Sequence, residues 1–232
     1  MNNTTQTGEI ILIDKPYGWT SFDAVNYIKR RLKIKKAGHA GTLDPLATGL
    51  LIVCTGKKTK QIQQLQGMEK EYLAMFLLGA ESPSYDLETE VRRTASLQQV
   101  LALRQADIQQ CIQKHFVGEI MQRPPLYSAI KRQGKRLYEL ARQGKEIEVE
   151  ARPTVIHAFE IQQWAPPHLY ARIVCSKGTY IRSLAHDLGQ ALRVGGCLTA
   201  LRRTRIGSYE VSNALSPIEY VKQYKSRNES LS

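Results

Sequence analysis

The segment 41–49, which reads Gly-Thr-Leu-Asp-Pro-Leu-Ala-Thr-Gly, constrains this chain more than any other. A proline fixes the backbone directly after Asp44, and the glycine at each end permits conformations that other residues avoid. An aspartate before a proline often caps a helix. Only three residues separate Pro45 from Gly49, so at most one helical turn fits before the next apolar run. The spacing therefore leaves two interpretations of Asp44 open, a backbone cap and a reactive carboxylate.

Apolar runs and periodic segments predict one elongated α+β domain, without an internal repeat or a second core. Buried or paired strands are expected over 10–13, 50–54, 72–78, 155–164, 170–176 and 201–207. Helices are expected from Thr20 or Ser21, with Phe22, Val25, Ile28 and Leu32 as the apolar face, over 59–66 and 97–116, and from about Tyr180 to the Gly195–Gly196 pair. After Pro217 the chain turns polar and is expected to fray.

The charge of the chain predicts a polyanionic partner. Lys and Arg number 33 against 21 Asp and Glu, which gives a net charge of +12. Six of the eight positions 29–36 are basic, and in 121–152 basic residues alternate with Tyr127 and Tyr138. Tyrosine rings can stack on bases while cations hold phosphates, a combination that suits RNA. The alternatives are a solvated helix face for the first tract and an amphipathic surface hairpin for the second.

Several classes of protein are disfavoured. The four cysteines form no Cys-x-x-Cys pair, and the five histidines lack ligand spacing, so neither a metal site nor a disulfide framework is expected. Residues 1–8 lack the order of a signal peptide, and the longest apolar stretch, 72–80, is too short to cross a bilayer. Phosphate-binding glycine loops and nucleophile elbows are missing from the sequence. These features predict a cytoplasmic protein without a cofactor or a membrane segment.

Three further residues have both an ordinary and a functional interpretation. His39 is either a surface histidine or a flat ring that replaces a base. Tyr72 is either a core tyrosine or part of a site. Arg182 falls in the first turn of a helix, where the dipole disfavours a cation, so it either bends into solvent or faces an anion.

In six blocks the chain resembles the TruB family of tRNA pseudouridine-55 synthases. The blocks keep the family order and extend from residue 9 to about 212. They are Asp14-Lys15-Pro16-x-Gly18-x-Thr20-Ser21, the stretch from Gly38 to Gly49, Lys70-Glu71-Tyr72, the segment Pro124 to Lys131 with Gly134 and Leu137-Tyr138, the stretch from Cys175 to Leu184, and Leu201-Arg202-Arg203-Thr204-Arg205-x-Gly207.

The resemblance implies an isomerase of the pseudouridine synthase fold, with a central mixed, mostly antiparallel sheet flanked by helices. It implies that one uridine in the T loop of tRNA is flipped out, its N-glycosidic bond broken and a C-glycosidic bond formed, without metal or cofactor. Asp44 is the implied nucleophile, and attack at the anomeric carbon and at carbon 6 both stay open. The resemblance implies further roles for Tyr72 against the base, for Arg182 as the ionic partner of Asp44, and for His39 in the gap left by the base. It places Tyr180 and Leu201 at the pocket, Lys15 and Pro16 behind the catalytic loop, and Lys131 and Arg202 on RNA.

The same resemblance implies a catalytic domain over 1–212, with a mobile RNA-clasping insertion over 122–150, and a tail over 213–232. Many relatives carry Thr-Asp-Thr-x-Asp where this chain has 82–86, Ser-Pro-Ser-Tyr-Asp, so only Asp86 corresponds. The chain is expected to lack the C-terminal RNA-binding domain of many relatives and to be a monomer. A non-catalytic RNA-binding protein and a glycoside hydrolase are the rival classes; the latter usually needs a second carboxylate.

Overall fold

The computed structural model describes residues 8–128, 131–132, 135–136 and 149–229. Its strands are β1 (Ile10–Lys15), β2 (Ala37–Ala40), β3 (Thr48–Thr55), β4 (Lys70–Leu78), β5 (Ala80–Glu81), β6 (Arg92–Arg93), β7 (Gly118–Gln122), β8 (Lys131–Arg132), β9 (Lys135–Arg136), β10 (Arg152–Ala165), β11 (His168–Cys175), β12 (Gly196–Ile206) and β13 (Tyr209–Glu210). Its α-helices are α1 (Ser21–Arg31), α2 (Ile62–Gly67), α3 (Leu97–Leu101), α4 (Gln105–His115), α5 (Ile181–Ala191) and α6 (Pro217–Glu229), and 3₁₀ turns cover Gly56–Gln61 and Val211–Asn213.

The chain divides into two compact units. The first unit contains Met1–Tyr72 and Leu201–Ser232, and the second contains Leu73–Ala200. In the first unit β3 pairs with β1 and β2 antiparallel and with β12 parallel. In the second unit the strand order is β4, β11, β10, β7, and β10 is antiparallel to both of its neighbours. The expected α+β class, with a mixed and mostly antiparallel sheet, is confirmed.

The first unit has a core formed by helices α1 and α6 against strands β1 and β3. Its buried members include Ile13, Ile28, Leu51 and Val221. Thr20 caps α1 through a capping box with Asp23, which decides between the two expected caps. Ala24 lies in this core, whereas the predicted Phe22 is 67% exposed. Phe22 is wrong as a core residue because it lies about 100° around the helix from the centre of the buried face.

The single helix predicted over 97–116 is wrong, since the structure has two helices there. A capping box of Ser96 and Gln99 starts α3, and Arg104 precedes α4 with its side chain 2.6 Å from the Asp107 carboxylate. Between the helices, the Leu103 carbonyl accepts a hydrogen bond from the Trp164 indole at 3.1 Å. That tertiary bond takes an acceptor that a continuous helix would use internally.

The predicted fraying after Pro217 is also wrong, because α6 occupies Pro217–Glu229. Ser216 and Glu219 bond reciprocally at its start, at 3.0 and 3.2 Å, and form a further capping box. The apolar anchor of α6 is Val221, which packs among the core residues of the first unit. Because α6 is polar apart from a single buried stripe, its composition alone does not distinguish it from a tail.

Most of the predicted insertion over 122–150 lies outside the described residues. Within it, β8 pairs antiparallel with β9. The division of the chain into residues 1–212 and a tail stays a prediction. Among the described helices, none combines the length and the apolar character needed to span a membrane.

Candidate active site

Asp44 lies in a tight turn between β2 and β3 in the first unit. The Ala47 amide donates to the Asp44 carbonyl at 3.1 Å, which closes the turn. Every residue of 41–48 is described, and no helix forms there. Asp44 therefore caps no helix, and the interpretation of Asp44 as a helix cap is wrong. The Ser21 hydroxyl donates to the Leu43 carbonyl at 3.1 Å and accepts from the Leu43 amide at 2.8 Å. The start of α1 thereby holds the residue before Asp44 through both of its backbone groups.

Lys15 supports the Asp44 turn from the end of β1. Its ammonium is fully buried and donates to three carbonyls, those of Pro16 at 2.9 Å, Trp19 at 2.5 Å and Pro45 at 3.3 Å. Burial lowers the pKa of Lys15 to about 8, although the Asp44 carboxylate acts in the opposite direction. The Gly18 amide donates to the same Pro45 carbonyl at 2.9 Å. The Lys15–Pro16 turn and the Asp44 turn are thus joined at Pro45.

Arg203 on β12 holds both ends of the same segment. Its side chain is 1% exposed, and its guanidinium donates to the carbonyls of Gly41 at 3.1 Å, Thr42 at 3.4 Å and Leu50 at 2.7 Å. Gly49 has φ +102°, and a Cβ there would lie 2.3 Å from the Arg203 carbonyl oxygen. The glycine is therefore required twice, by its backbone angle and by the approach of β12.

His39 lies on β2, opposite Val53 in the register with β3. Burial and the nearby Arg203 cation lower the pKa of His39, so its ring is neutral near pH 7. Its buried Nδ1 has no hydrogen-bond partner among the described residues. A neutral ring held among small residues is suited to stacking rather than to binding phosphate.

The other predicted residues of the first unit lie on two strands. Tyr72 is buried near the start of β4, and Leu201 on β12 accepts a hydrogen bond from the Thr48 hydroxyl at 3.4 Å. Arg202, predicted to bind RNA, forms a bidentate ion pair with Asp14, at 3.0 and 2.7 Å. A phosphate would have to share this guanidinium with a carboxylate.

Arg182 lies at the second position of α5 in the second unit and is 3% exposed. Its guanidinium donates to the Ser84 carbonyl at 3.1 Å and the Tyr127 carbonyl at 2.9 Å, and its Nε lies 3.6 Å from Asp86 Oδ2. A buried cation at the positive end of a helix requires such compensation. The predicted pair with Asp44 stays a prediction.

The segment that departs from the family pattern positions Asp86. The Asp86 carboxylate accepts from the Ser84 hydroxyl at 2.6 Å and from the Glu88 amide at 3.0 Å, through Oδ1. The Ser82 hydroxyl bonds to the Asp86 carbonyl at 2.5 Å. The serine hydroxyls therefore bond to the Asp86 carbonyl and to Oδ1, and Oδ2 faces Arg182. The segment differs from the family motif but keeps the ion pair between Asp86 and Arg182.

Tyr180 directly precedes α5 and is held by Gln122. Its amide donates to Gln122 Oε1 at 2.8 Å, and Gln122 Nε2 donates to its carbonyl at 3.0 Å. Lys131 lies on the two-residue strand β8, and its side chain lies outside the described residues. The sequence interpretation missed Arg203, Ser21 and Gln122. Side chains alternate along a strand, so Arg203 shares the face of Leu201, and this alternation predicts that Arg203 points inward. No local pattern identifies Gln122.

The first unit therefore brings Lys15, Pro16, Asp44 and His39 to one loop system backed by Arg203, and the second unit places Arg182 against Asp86. Among the described residues, no group of three or more His, Cys, Asp or Glu is arranged to hold a metal ion. The chemistry available at Asp44 is that of a carboxylate on a rigid turn, beside two buried cations.

Family models match nearly the whole chain. The model described as TruB family pseudouridylate synthase, N-terminal domain, matches residues 29–181. A second, described as the tRNA pseudouridylate synthase B C-terminal domain, matches residues 182–231.

Curated relatives and solved structures agree with these matches. A protein of Flavobacterium johnsoniae named tRNA pseudouridine synthase B is 54% identical, with 90% of this chain and 92% of that protein covered. A protein of the same name from Bacteroides fragilis is 47% identical, with 92% of each covered. A chain from a Cbf5-Nop10-Gar1 complex is 33% identical with a TM-score of 0.74, and the match covers 97% of this chain and 57% of that one. A chain from an H/ACA ribonucleoprotein bound to substrate RNA has a TM-score of 0.71 at 29% identity, over 95% of this chain and 55% of that one. With matches of this extent, the chain belongs to the TruB family of pseudouridylate synthases.

Proposed function

We propose that this protein converts uridine 55 in the T loop of tRNA to pseudouridine. The uridine flips out of the loop, Asp44 attacks, and the N-glycosidic bond breaks. The uracil turns and carbon 5 bonds to the ribose; carbon 5 then loses its proton, nitrogen 1 gains one, and the bond to Asp44 breaks. Substrate and product have the same atoms and oxidation state, so the reaction calls for no redox partner. Attack at the anomeric carbon and at carbon 6 are both compatible with a carboxylate nucleophile.

The observation that carries this proposal is the support of the Asp44 turn. Buried Lys15 and Arg203 bind the carbonyls of Pro45, Gly41, Thr42 and Leu50, and Ser21 fixes Leu43. Such support preorganises a nucleophile, which reduces the entropy lost on reaching the reactive geometry. The relatives named tRNA pseudouridine synthase B support tRNA as the substrate.

The remaining residues take the roles that the family resemblance implies. Tyr72 stacks on the flipped base, His39 fills the gap that the base leaves, and Tyr180 and Leu201 line the pocket. Arg182 keeps Asp44 ionised, in addition to its contact with Asp86. Lys131 and Arg202 contact the RNA backbone, together with the rest of the 122–150 insertion.

We propose that the enzyme acts in the cytoplasm as a monomer.

The experiment that tests the proposal replaces Asp44 by Asn. The amide keeps the shape of the side chain but is a far poorer nucleophile, so tRNA binding is retained and turnover is lost. Release of tritium from carbon 5 of uridine in a T-arm transcript measures turnover, and filter binding measures affinity. Asp107→Asn, at an exposed carboxylate of α4, is the matched control and keeps full activity.

Two outcomes would contradict the proposal. Tritium release by Asp44→Asn at the wild-type rate would remove Asp44 from the chemistry. Tight binding of tRNA by the wild-type protein, without any release, would favour a non-catalytic RNA-binding protein.

A further inference from the structure

We infer that a cleft between the end of α1 and helix α6 binds the phosphodiester backbone of RNA. The inference rests on the proposed function and adds a second contact region to it. The cleft has a volume of about 400 Å³ and lies within the first unit. Three cations line it, Arg31 and Lys33 from one side and Lys225 from the other, together with Tyr224 and Asn228. We call it the α1–α6 cleft.

The charge around the α1–α6 cleft is strongly one-sided. The exposed cations on the α1 side are Arg30, Arg31, Lys33, Lys35 and Lys36, and those on α6 are Lys222, Lys225 and Arg227. In the parts of the chain that the structure describes, none of these side chains forms a salt bridge, and Glu229 is the one carboxylate that lines the cleft. Like charges at this density repel one another, and a polyanion seated among them would relieve that repulsion.

A simpler explanation covers only part of the cluster. Cations in the last turn of a helix complement its dipole, which accounts for Lys29, Arg30 and Arg31. Lys33 follows the helix with φ +52°, beyond the last turn, and Lys35 and Lys36 lie further along the loop. Lys225 belongs to a different helix. The dipole of α1 therefore does not explain why these charges surround a cavity.

An aromatic ring in the α1–α6 cleft, that of Tyr224, favours a nucleic acid over a small anion. Tyr224 lines the cleft and also a neighbouring one of about 540 Å³, which Arg227, Tyr220 and Glu9 line as well. The Tyr220 hydroxyl donates to the Glu9 carboxylate there at 3.2 Å. The Tyr220 and Tyr224 rings lie 6.2 Å apart. Arg31 is stacked over Tyr27, with its guanidinium carbon 5.5 Å from the ring centroid. Phosphates held by cations beside an aromatic ring match the pattern by which proteins bind flexible RNA strands.

The test removes three charges from the α1–α6 cleft, in the variant Arg31→Gln/Lys33→Gln/Lys225→Gln. We measure the Kd for whole tRNA across a series of salt concentrations, and steady-state turnover. Affinity at about 0.1 M salt falls about tenfold or more, and the slope of log K against log salt decreases by about two to three, since each phosphate contact contributes roughly 0.7 to 0.9. The loss appears in KM rather than in kcat, because Asp44 is unchanged.

The matched control is Arg92→Gln/Arg93→Gln/Lys114→Gln, which removes the same charge from exposed positions of the second unit. It keeps the wild-type Kd within about twofold and the wild-type salt slope. Thermal unfolding confirms that both variants fold. An equal loss in the control would mean that only net charge matters, and an unchanged slope in the cleft variant would mean that no phosphate binds there. Either result overturns the inference.

The two proposals fail separately. If the wild-type protein forms pseudouridine and the cleft variant binds tRNA normally, the inference is wrong and the proposed function stands. If the wild-type protein forms no pseudouridine but the cleft variant loses affinity and salt slope while the control does not, the binding surface is supported and the proposed chemistry is wrong.

Discussion

Lys15, Arg182 and Arg203 are among the buried basic side chains that hold backbone carbonyls. A net charge of +12 suggests that basic residues serve RNA, but these three shape the protein itself. Arg is well suited to this task because its planar fork can reach several carbonyls at once. At the scale of the residue, burial separates a cation that binds a ligand from one that supports a loop.

The buried pair of Arg182 and Asp86 gives a prediction at this scale. Arg182→Met and Asp86→Asn each lower the free energy of unfolding by about 3–5 kcal/mol, because each removes one member of a buried ion pair. The double variant loses less than the sum by about 1–3 kcal/mol, since neither charge remains. Urea unfolding of the four proteins measures the cycle. Strict additivity would show that the 3.6 Å contact carries no coupling.

The candidate residues were predictable to the extent that they lie in local motifs. Asp44 is conspicuous between its glycines, and the resemblance supplies roles for Tyr72 and Arg182. The side chain that anchors the Asp44 turn, Arg203, is about 160 residues away in sequence, so only the pairing of β12 with β3 reveals it. Of the segment 82–86 only Asp86 matches the family pattern, so the motif identifies the carboxylate but not the serines that position it.

At the scale of the element, β3 and β12 determine the geometry of the site. They are parallel and register Thr48 with Arg202 and Gly49 with Arg203. The Asp44 turn therefore ends where β3 begins to pair with β12. Strands were predictable from their apolar runs, but the break between α3 and α4 and the helix α6 were not. Those two features depend on a tertiary hydrogen bond to Leu103 and on the burial of Val221.

Substitution at the close approach tests this geometry. Gly49→Ala destabilises the protein by about 2–4 kcal/mol, because the methyl group meets β12 and the positive φ disfavours alanine. It also reduces turnover by displacing Asp44. Gly67→Ala is the control, since a Cβ at the end of α2 meets nothing within 4 Å. Thermal unfolding and tritium release measure both effects, and equal behaviour of the two variants would contradict the assignment.

At the scale of the whole molecule, the first unit is formed from both ends of the sequence. Residues up to Tyr72 and from Leu201 onward share a core in which α6 packs against α1. The polar composition of the last residues predicts a tail, although one apolar side chain among them, Val221, is buried in the core. Local periodicity does not indicate that the two ends of a sequence share one core.

The contribution of α6 to this core gives a prediction for the molecule as a whole. Val221→Ala removes two buried methyl groups and lowers the free energy of unfolding by about 1–2 kcal/mol. Ile218→Ala, at a position 57% exposed, changes it by less than about 0.5 kcal/mol. Urea unfolding compares the two. Similar losses at both positions would mean that α6 is not anchored through Val221.

The contact at Gly49 has a genetic consequence. A clash between side chains can be relieved by a smaller partner, and suppressor mutations then appear at the neighbouring position. A Cβ at residue 49 would instead meet the main-chain oxygen, nitrogen and carbon of Arg203, which every amino acid carries. We therefore expect selection for recovered activity in a Gly49→Ala strain to return true revertants at codon 49, with no compensating substitution at codon 203.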